Sequence, residues 1–283
     1  LEFRRVLFRS QKQVMQVVQT PRGTILTADV GNDQSCTADD AIREYSLCGQ
    51  YIRTLAGPSD GVCNPESLAV AYGKVWFSRL YDPTSEPTPG VNALWSMNYD
   101  GTGLTQACAS STFGKIWAMM PFNGGFLVSD IADNNLEFAP LSCAPSTPFF
   151  LYGDHSTTMK QPQQMARLPD GSIVCAYFSN SQGSIAGLYF FSATGDYQGG
   201  VPTAACRGVY PLGNGEILCC GGTQVLAYDP VTYQFRTIVN QVSPLASFRW
   251  IAPLKTCPAD FDCNGAIDGG DLGVLLEIGR AHV

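Results

Sequence analysis

Met165–Ala176 reads MARLPDGSIVCA. An apolar run leads in, Pro169-Asp170-Gly171 turns the chain, and Ile173–Ala176 leads out. Two short β-rich runs about a glycine turn are the signature of a hairpin. The pattern recurs along the chain. It appears as Met15–Val18, Arg22-Gly23 and Ile25–Ala28, and again as Ser67–Ala71, Tyr72-Gly73 and Val75–Ser78. Ile116–Met120, Asn123-Gly124-Gly125 and Phe126–Ser129 form a third copy, and Gly208–Leu212, Asn214-Gly215 and Ile217–Cys220 follow the opening one.

Each copy has a second half: Ala41–Leu55, Ala93–Thr105, Leu136–Tyr152, Leu188–Val201 and Val225–Val239. Several carry their own turn, at Asp100-Gly101, Thr194-Gly195 and Asp229-Pro230. Hairpin plus hairpin makes four strands, and the turn glycines recur roughly every 45–50 residues, the period of a β-propeller blade. A single four-stranded sheet cannot bury both faces. Radial stacking buries them and leaves short edges. A β-sandwich also uses many short strands, but a fixed period is the more specific sign. The fold class expected is therefore all-β, a β-propeller over residues 11–254. Five repeats are visible; Phe248–Pro253 (FRWIAP) is expected to be the lead strand of a further blade completed by strands from the chain's beginning, so about six blades, with seven as the alternative, are predicted for the intact protein.

The two ends read differently. Leu1–Ser10 (LEFRRVLFRS) and Glu277–Val283 (EIGRAHV) resemble translated sequencing adapter, which leaves Gln11–Leu276 as the expected native segment. The formal charge of the chain is −7. No cluster of Lys and Arg is present to neutralise phosphates, which argues against nucleic-acid binding. No apolar run reaches the ~18 residues of a membrane-spanning helix.

Eleven cysteines are many for this length. Cys36, Cys48, Cys63, Cys108, Cys143, Cys206 and Cys257 fall in loop-like or strand-end sequence, which points to disulfides and an oxidising compartment. Cys175, Cys219 and Cys220 fall inside strands and are expected to be buried thiols. No CxxC pair supports a zinc or redox site. Asp154-His155-Ser156 places three hydrolase-triad letters side by side, but adjacent side chains diverge and cannot form that geometry. His155 is the only histidine outside the adapter-like ends, so a His-rich metal site is ruled out. The insert Asp29–Asp40 is expected to be a solvated loop, and Trp117, Met119, Met120 and Phe122 to be core.

One motif carries chemistry. Asp260–Leu272 reads DFDCNGAIDGGDL. On a twelve-residue calcium loop, Asp260, Asp262 and Asn264 take positions 1, 3 and 5. Gly265 supplies the sharp turn at 6, Ala266 offers its carbonyl at 7, Ile267 pins the loop at 8, Asp268 is at 9 and Asp271 closes the shell at 12. A hard cation wanting six to eight oxygens finds them in one short turn. The implied cofactor is calcium.

Two resemblances follow from these residues. Leu94–Gly103 (LWSMNYDGTG) resembles the outer hairpin of NHL/YWTD/TolB-like propellers. The calcium loop has Asp at its last position, no helix before it and Leu272–Leu276 beginning a helix after it. It resembles a type I dockerin repeat, the calcium module that ends many secreted bacterial proteins. That resemblance covers residues 255–276 and implies Asp260, Asp262, Asn264, Asp268 and Asp271, with the Ala266 carbonyl, as ligands. It also implies a cohesin-like partner for an intact, two-repeat tail and an extracellular, cell-surface or periplasmic location. The function expected is a secreted, non-enzymatic binding module with an anchoring tail, its propeller ligand a protein or glycan. The alternative is a propeller enzyme acting on a carbohydrate or lactone, for which no convergent acid, base or metal set repeats across the blades. A third reading is a scaffold whose tail is structural only.

Overall fold

The computed structural model describes residues 13–30, 36, 38–79, 93–108, 114–151, 159–178, 185–204, 206–240 and 248–253. Twenty strands form five four-stranded antiparallel sheets, each paired in sequence order. The first sheet holds β1 (Gln13–Gln19), β2 (Ile25–Val30), β3 (Ala41–Tyr45) and β4 (Tyr51–Ala56). The second holds β5 (Pro65–Ala71), β6 (Lys74–Arg79), β7 (Ala93–Met97) and β8 (Thr105–Cys108). The third holds β9 (Ile116–Phe122), β10 (Gly125–Asp130), β11 (Asn135–Pro140) and β12 (Thr147–Phe150). The fourth holds β13 (Pro162–Arg167), β14 (Ile173–Tyr177), β15 (Gly187–Phe191) and β16 (Tyr197–Pro202), and the fifth β17 (Gly208–Pro211), β18 (Ile217–Gly221), β19 (Gln224–Asp229) and β20 (Gln234–Asn240).

The turns explain the regularity. In the opening hairpin, Leu168 N–H donates to the Ser172 carbonyl and Gly171 N–H to the Leu168 carbonyl. Gly171 sits at φ +90°, where a side chain would be strained. The Asp170 carboxylate accepts from both the N–H and the hydroxyl of Ser172, which holds it below the usual carboxylate range. The same pair of backbone bonds closes the turns at Thr20–Thr24, Ser46–Gln50, Asn98–Thr102, Ser192–Asp196 and Leu212–Glu216. Gly195 has a second constraint: a methyl group there would run into the Phe149 carbonyl of the preceding blade.

Apolar side chains fill the gaps between successive sheets. Leu26 and Ile42 of blade one meet Leu68, Phe77 and Met97 of blade two. Trp76 and Leu94 then meet Phe126 and Val128. Leu127 and Phe150 meet Ile173, Tyr177 and Phe191, and Val174 and Leu188 meet Val209, Ile217 and Tyr228. Each large side chain fully buried this way contributes about 1.5–3 kcal/mol. The inter-sheet cores thus build a ring of blades with β1, β5, β9, β13 and β17 innermost.

Five blades are present among the described residues where about six were expected. Phe248–Pro253 is not a strand. It nevertheless takes the place of a sixth inner strand, and two glutamines show this. The Gln16 carboxamide on β1 accepts from Leu68 N–H of the next blade (2.7 Å) and donates to the Trp117 carbonyl of the one after (3.0 Å). The Gln164 carboxamide on β13 accepts from Val209 N–H of the next blade (3.1 Å) and donates to the Ile251 carbonyl (2.7 Å). Ile251 therefore stands to blade four as Trp117 stands to blade one. Its segment has no ladder to extend among the described residues, so side chains and one backbone bond, from Phe248 N–H to the Gly222 carbonyl, hold it instead.

Cys36–Cys63 and Cys108–Cys143 are disulfides, and Cys48 is disulfide-bonded as well. The second bridge ties β8 of blade two to the turn after β11 of blade three. Cys206 corrects the sequence reading: it is a buried free thiol packed in the core between blades four and five. Cys175, Cys219 and Cys220 are buried thiols, as expected. Asp29–Asp40 is not wholly solvated either. Asp29 belongs to β2 and pairs with Arg43 across the sheet, and Asp40 accepts from Asn64 N–H (2.9 Å). Both carboxylates are buried.

Two outcomes follow. Gln16→Ala leaves a buried N–H and a buried carbonyl without their partner, so it is expected to lower unfolding stability by about 3 kcal/mol in urea titration. At the rim, Arg236 and Asn214 hold the Glu216 carboxylate down at about 2. Its folded-state value lies below the unfolded one, so its stabilisation is present above about 4.5 and is lost as pH falls toward 2. Arg236→Gln should therefore move the Glu216 carboxylate titration, followed by NMR, back toward the ordinary range.

Candidate functional site

The innermost strands and residues 250–253 surround a central cavity of about 1020 Å³. Its wall is mostly apolar, with Val18, Val70, Met120, Met165 and Ala252 among the lining residues. It runs from the level of Gln164 to Thr20, Pro21, Pro121 and Pro253 at one rim. Among the described residues that line it, Tyr210 alone is titratable. No carboxylate, imidazole or thiol there can move a proton or attack a substrate, whereas the size suits a bound ligand.

The other end is built differently. Arg207, just before β17, places its guanidinium 3.7 Å from the centre of the Phe178 ring and 5.9 Å from that of Trp117. Trp117 lies on β9, so the contact joins blades three, four and five. A guanidinium is weakly hydrated and planar, which lets it stack against two rings. The Arg207 carbonyl also accepts from Gln164 N–H (3.1 Å). Trp117 was expected in the core with Met119, Met120 and Phe122; Met119 and Phe122 are buried, Met120 is partly buried and lines the cavity, and the partly buried Trp117 indole faces Arg207.

Strand ends gather at this same end. The C-terminal ends of β2, β6 and β14 and the described connection of residues 57–64 lie there, while the opposite end has tight turns such as Tyr72-Gly73 and Asn123-Gly124.

Two acidic groupings have structural partners. Cys36, Asp40 and Cys63 lie close together, but the two sulfurs are bonded to one another. Asp130, Asp133 and Glu137 also converge. The Asp130 carboxylate accepts N–H groups from Gly114, Lys115 and Ala132, and Glu137 accepts the Ser146 hydroxyl. Burial raises Glu137 despite that bond.

The calcium-loop residues Asp260, Asp262, Asn264, Ala266, Asp268 and Asp271 lie outside the described residues, as do His155 and both adapter-like ends. Sequence reasoning missed Gln16, Gln164 and Arg207. One signal was available for the glutamines. Gln16 precedes Gly23 by the same interval as Gln164 precedes Gly171, each an amide in an apolar inner strand.

The buried thiols are expected to be inert. Burial pushes Cys175 and Cys206 well up and Cys220 up to about 12. Iodoacetamide at pH 8 should therefore leave Cys175, Cys206, Cys219 and Cys220 unmodified in the native protein and alkylate them in denaturant, as mapped by mass spectrometry.

No protein-family profile matches the chain, and no curated protein matches it by sequence. Solved structures do. The nidogen/laminin complex contains a chain similar at a TM-score of 0.59 and 11% identity, covering 84% of this chain and 80% of that one. The WD40 β-propeller domain of Doa1 is similar at 0.55 and 15% identity, over 83% and 70%. The extracellular domain of the hybrid two-component system BT3049 from B. thetaiotaomicron is similar at 0.54 and 11% identity, and this chain spans 28% of its length. YCF48 bound to D1 peptide is similar at 0.53 and 12% identity, over 82% and 69%. At these identities the likeness is one of fold, and the fold is the β-propeller.

Proposed function

We propose that the protein is a secreted binding module: a β-propeller that presents a recognition surface, followed by a calcium-binding, dockerin-like tail for anchoring or assembly. The observation that carries the binding half is the central cavity, apolar and with Tyr210 its only titratable group among the described lining residues. Such a cavity favours holding a partner over transforming one. The similar propellers include one in a complex with laminin and one bound to a peptide, which favours a protein or peptide as the ligand class. The disulfides Cys36–Cys63 and Cys108–Cys143 favour an oxidising location. The tail rests on its sequence alone: Asp260, Asp262, Asn264, Asp268 and Asp271, with the Ala266 carbonyl, would supply the oxygen shell of one calcium ion.

Calorimetric titration of the protein with calcium tests the tail. Saturable binding at or below millimolar calcium, lost in Asp260→Ala, is the expected result. Heat that is absent, or identical in the variant, would sink the calcium assignment. A pull-down with immobilised cohesin domains then separates an assembly tail from a purely structural one.

A further inference from the structure

Residues 248–253 are held in a way that describes a peptide-binding slot. The Gln164 carboxamide grips one residue by both its backbone groups: it accepts from Ile251 N–H (3.0 Å) and donates to the Ile251 carbonyl (2.7 Å). A primary amide used this way reproduces one rung of a β-ladder, and it reads main chain whatever the side chain. The Trp250 indole N–H donates to the Val17 carbonyl of β1 (3.1 Å), which adds a side-chain requirement. Phe248 N–H donates to the Gly222 carbonyl of blade five (2.7 Å), so the segment bridges blades five, four and one. Pro253 lies at its exposed end. The segment also brings Arg249 into a chain of net charge −7.

No strand ladder fixes this segment among the described residues. Its place depends on a few hydrogen bonds and one indole, while each true inner strand is paired along its length with the next strand of its blade. We propose that the slot between β17 and β1, formed by Gln164, Val17 and Gly222, is a docking site for an extended partner peptide with a tryptophan followed by an aliphatic residue, occupied in cis by residues 248–253. The cis occupant is the template for the partner's chemistry: an indole donor, then one free N–H and carbonyl in extended backbone. The proposal is independent of the calcium tail, and its failure would leave that reading untouched.

The test uses the full chain and a fluorescein-labelled peptide of sequence SFRWIAPL, residues 247–254. The double variant Trp250→Ala/Ile251→Pro removes the indole donor and the gripped N–H from the cis segment. Fluorescence anisotropy should show the peptide binding this variant at least tenfold more tightly than the wild type, whose own segment competes. Adding Gln164→Ala should reverse that gain, as should replacing the peptide's tryptophan by alanine. Equal binding to all three proteins, or binding to none, would overturn the proposal. Should the double variant fail to fold, recovery of its thermal transition on adding peptide reports the same site, and no recovery overturns it. A wild-type dimer in which two copies exchange the segment, seen by size exclusion and lost in Gln164→Ala, would overturn the peptide assignment in favour of self-association.

Discussion

An inner strand of a radial ring has one edge that no ladder can satisfy, because its second neighbour in the sheet would have to stand in the channel. Backbone N–H and carbonyl groups along that edge are buried and need partners. Two glutamines meet part of this demand. Gln16 takes the N–H of Leu68 and the carbonyl of Trp117, and Gln164 takes the N–H of Val209 and both backbone groups of Ile251. Each carboxamide spans three successive stations. Together they hold six stations in two groups of three, although only five carry a four-stranded sheet. The apolar cores between sheets supply most of the stabilisation, but they act between neighbours. The amides act across the channel, and so they bear on whether the ring closes.

The same geometry sorts the chemistry of the molecule. Several carboxylates in the described blades are spent on structure: Asp29 on Arg43, Asp130 on loop N–H groups, Asp170 on its own turn. The Cys175 and Cys220 thiols lie in apolar surroundings, where burial keeps them protonated. One end of the ring offers an apolar cavity, and the other Arg207 set against the Phe178 and Trp117 rings. A binding module is the reading consistent with that division.

Much of the fold was legible because local rules and global architecture agree. Six turns use the same two backbone bonds with glycine at the same place, and each of those glycines is visible in the chain as a punctuation mark. Where the reading went astray, a long-range partner had overruled a local pattern. Cys206 looked like a loop cysteine, yet it is buried between two blades without a bond to another cysteine. Asp40 looked solvated, yet a backbone N–H far along the chain takes its carboxylate. Trp117 looked like core, yet its ring meets an arginine two blades away. The candidate calcium ligands are the reverse case, since their spacing within one loop states the chemistry without any tertiary contact.

From its residue order alone, this chain determined the repeating unit, the position of the turns, the strands and hence the family of rings it could build. That information is local, because a glycine turn and an alternating strand depend on residues a few places apart. The number of four-stranded blades, the placing of Phe248–Pro253 as a strand-less sixth station and the roles of Gln16, Gln164 and Arg207 were decided by tertiary structure. Those depend on which edge faces the channel and which side chain can reach across it, and such distances exist only once the ring has closed.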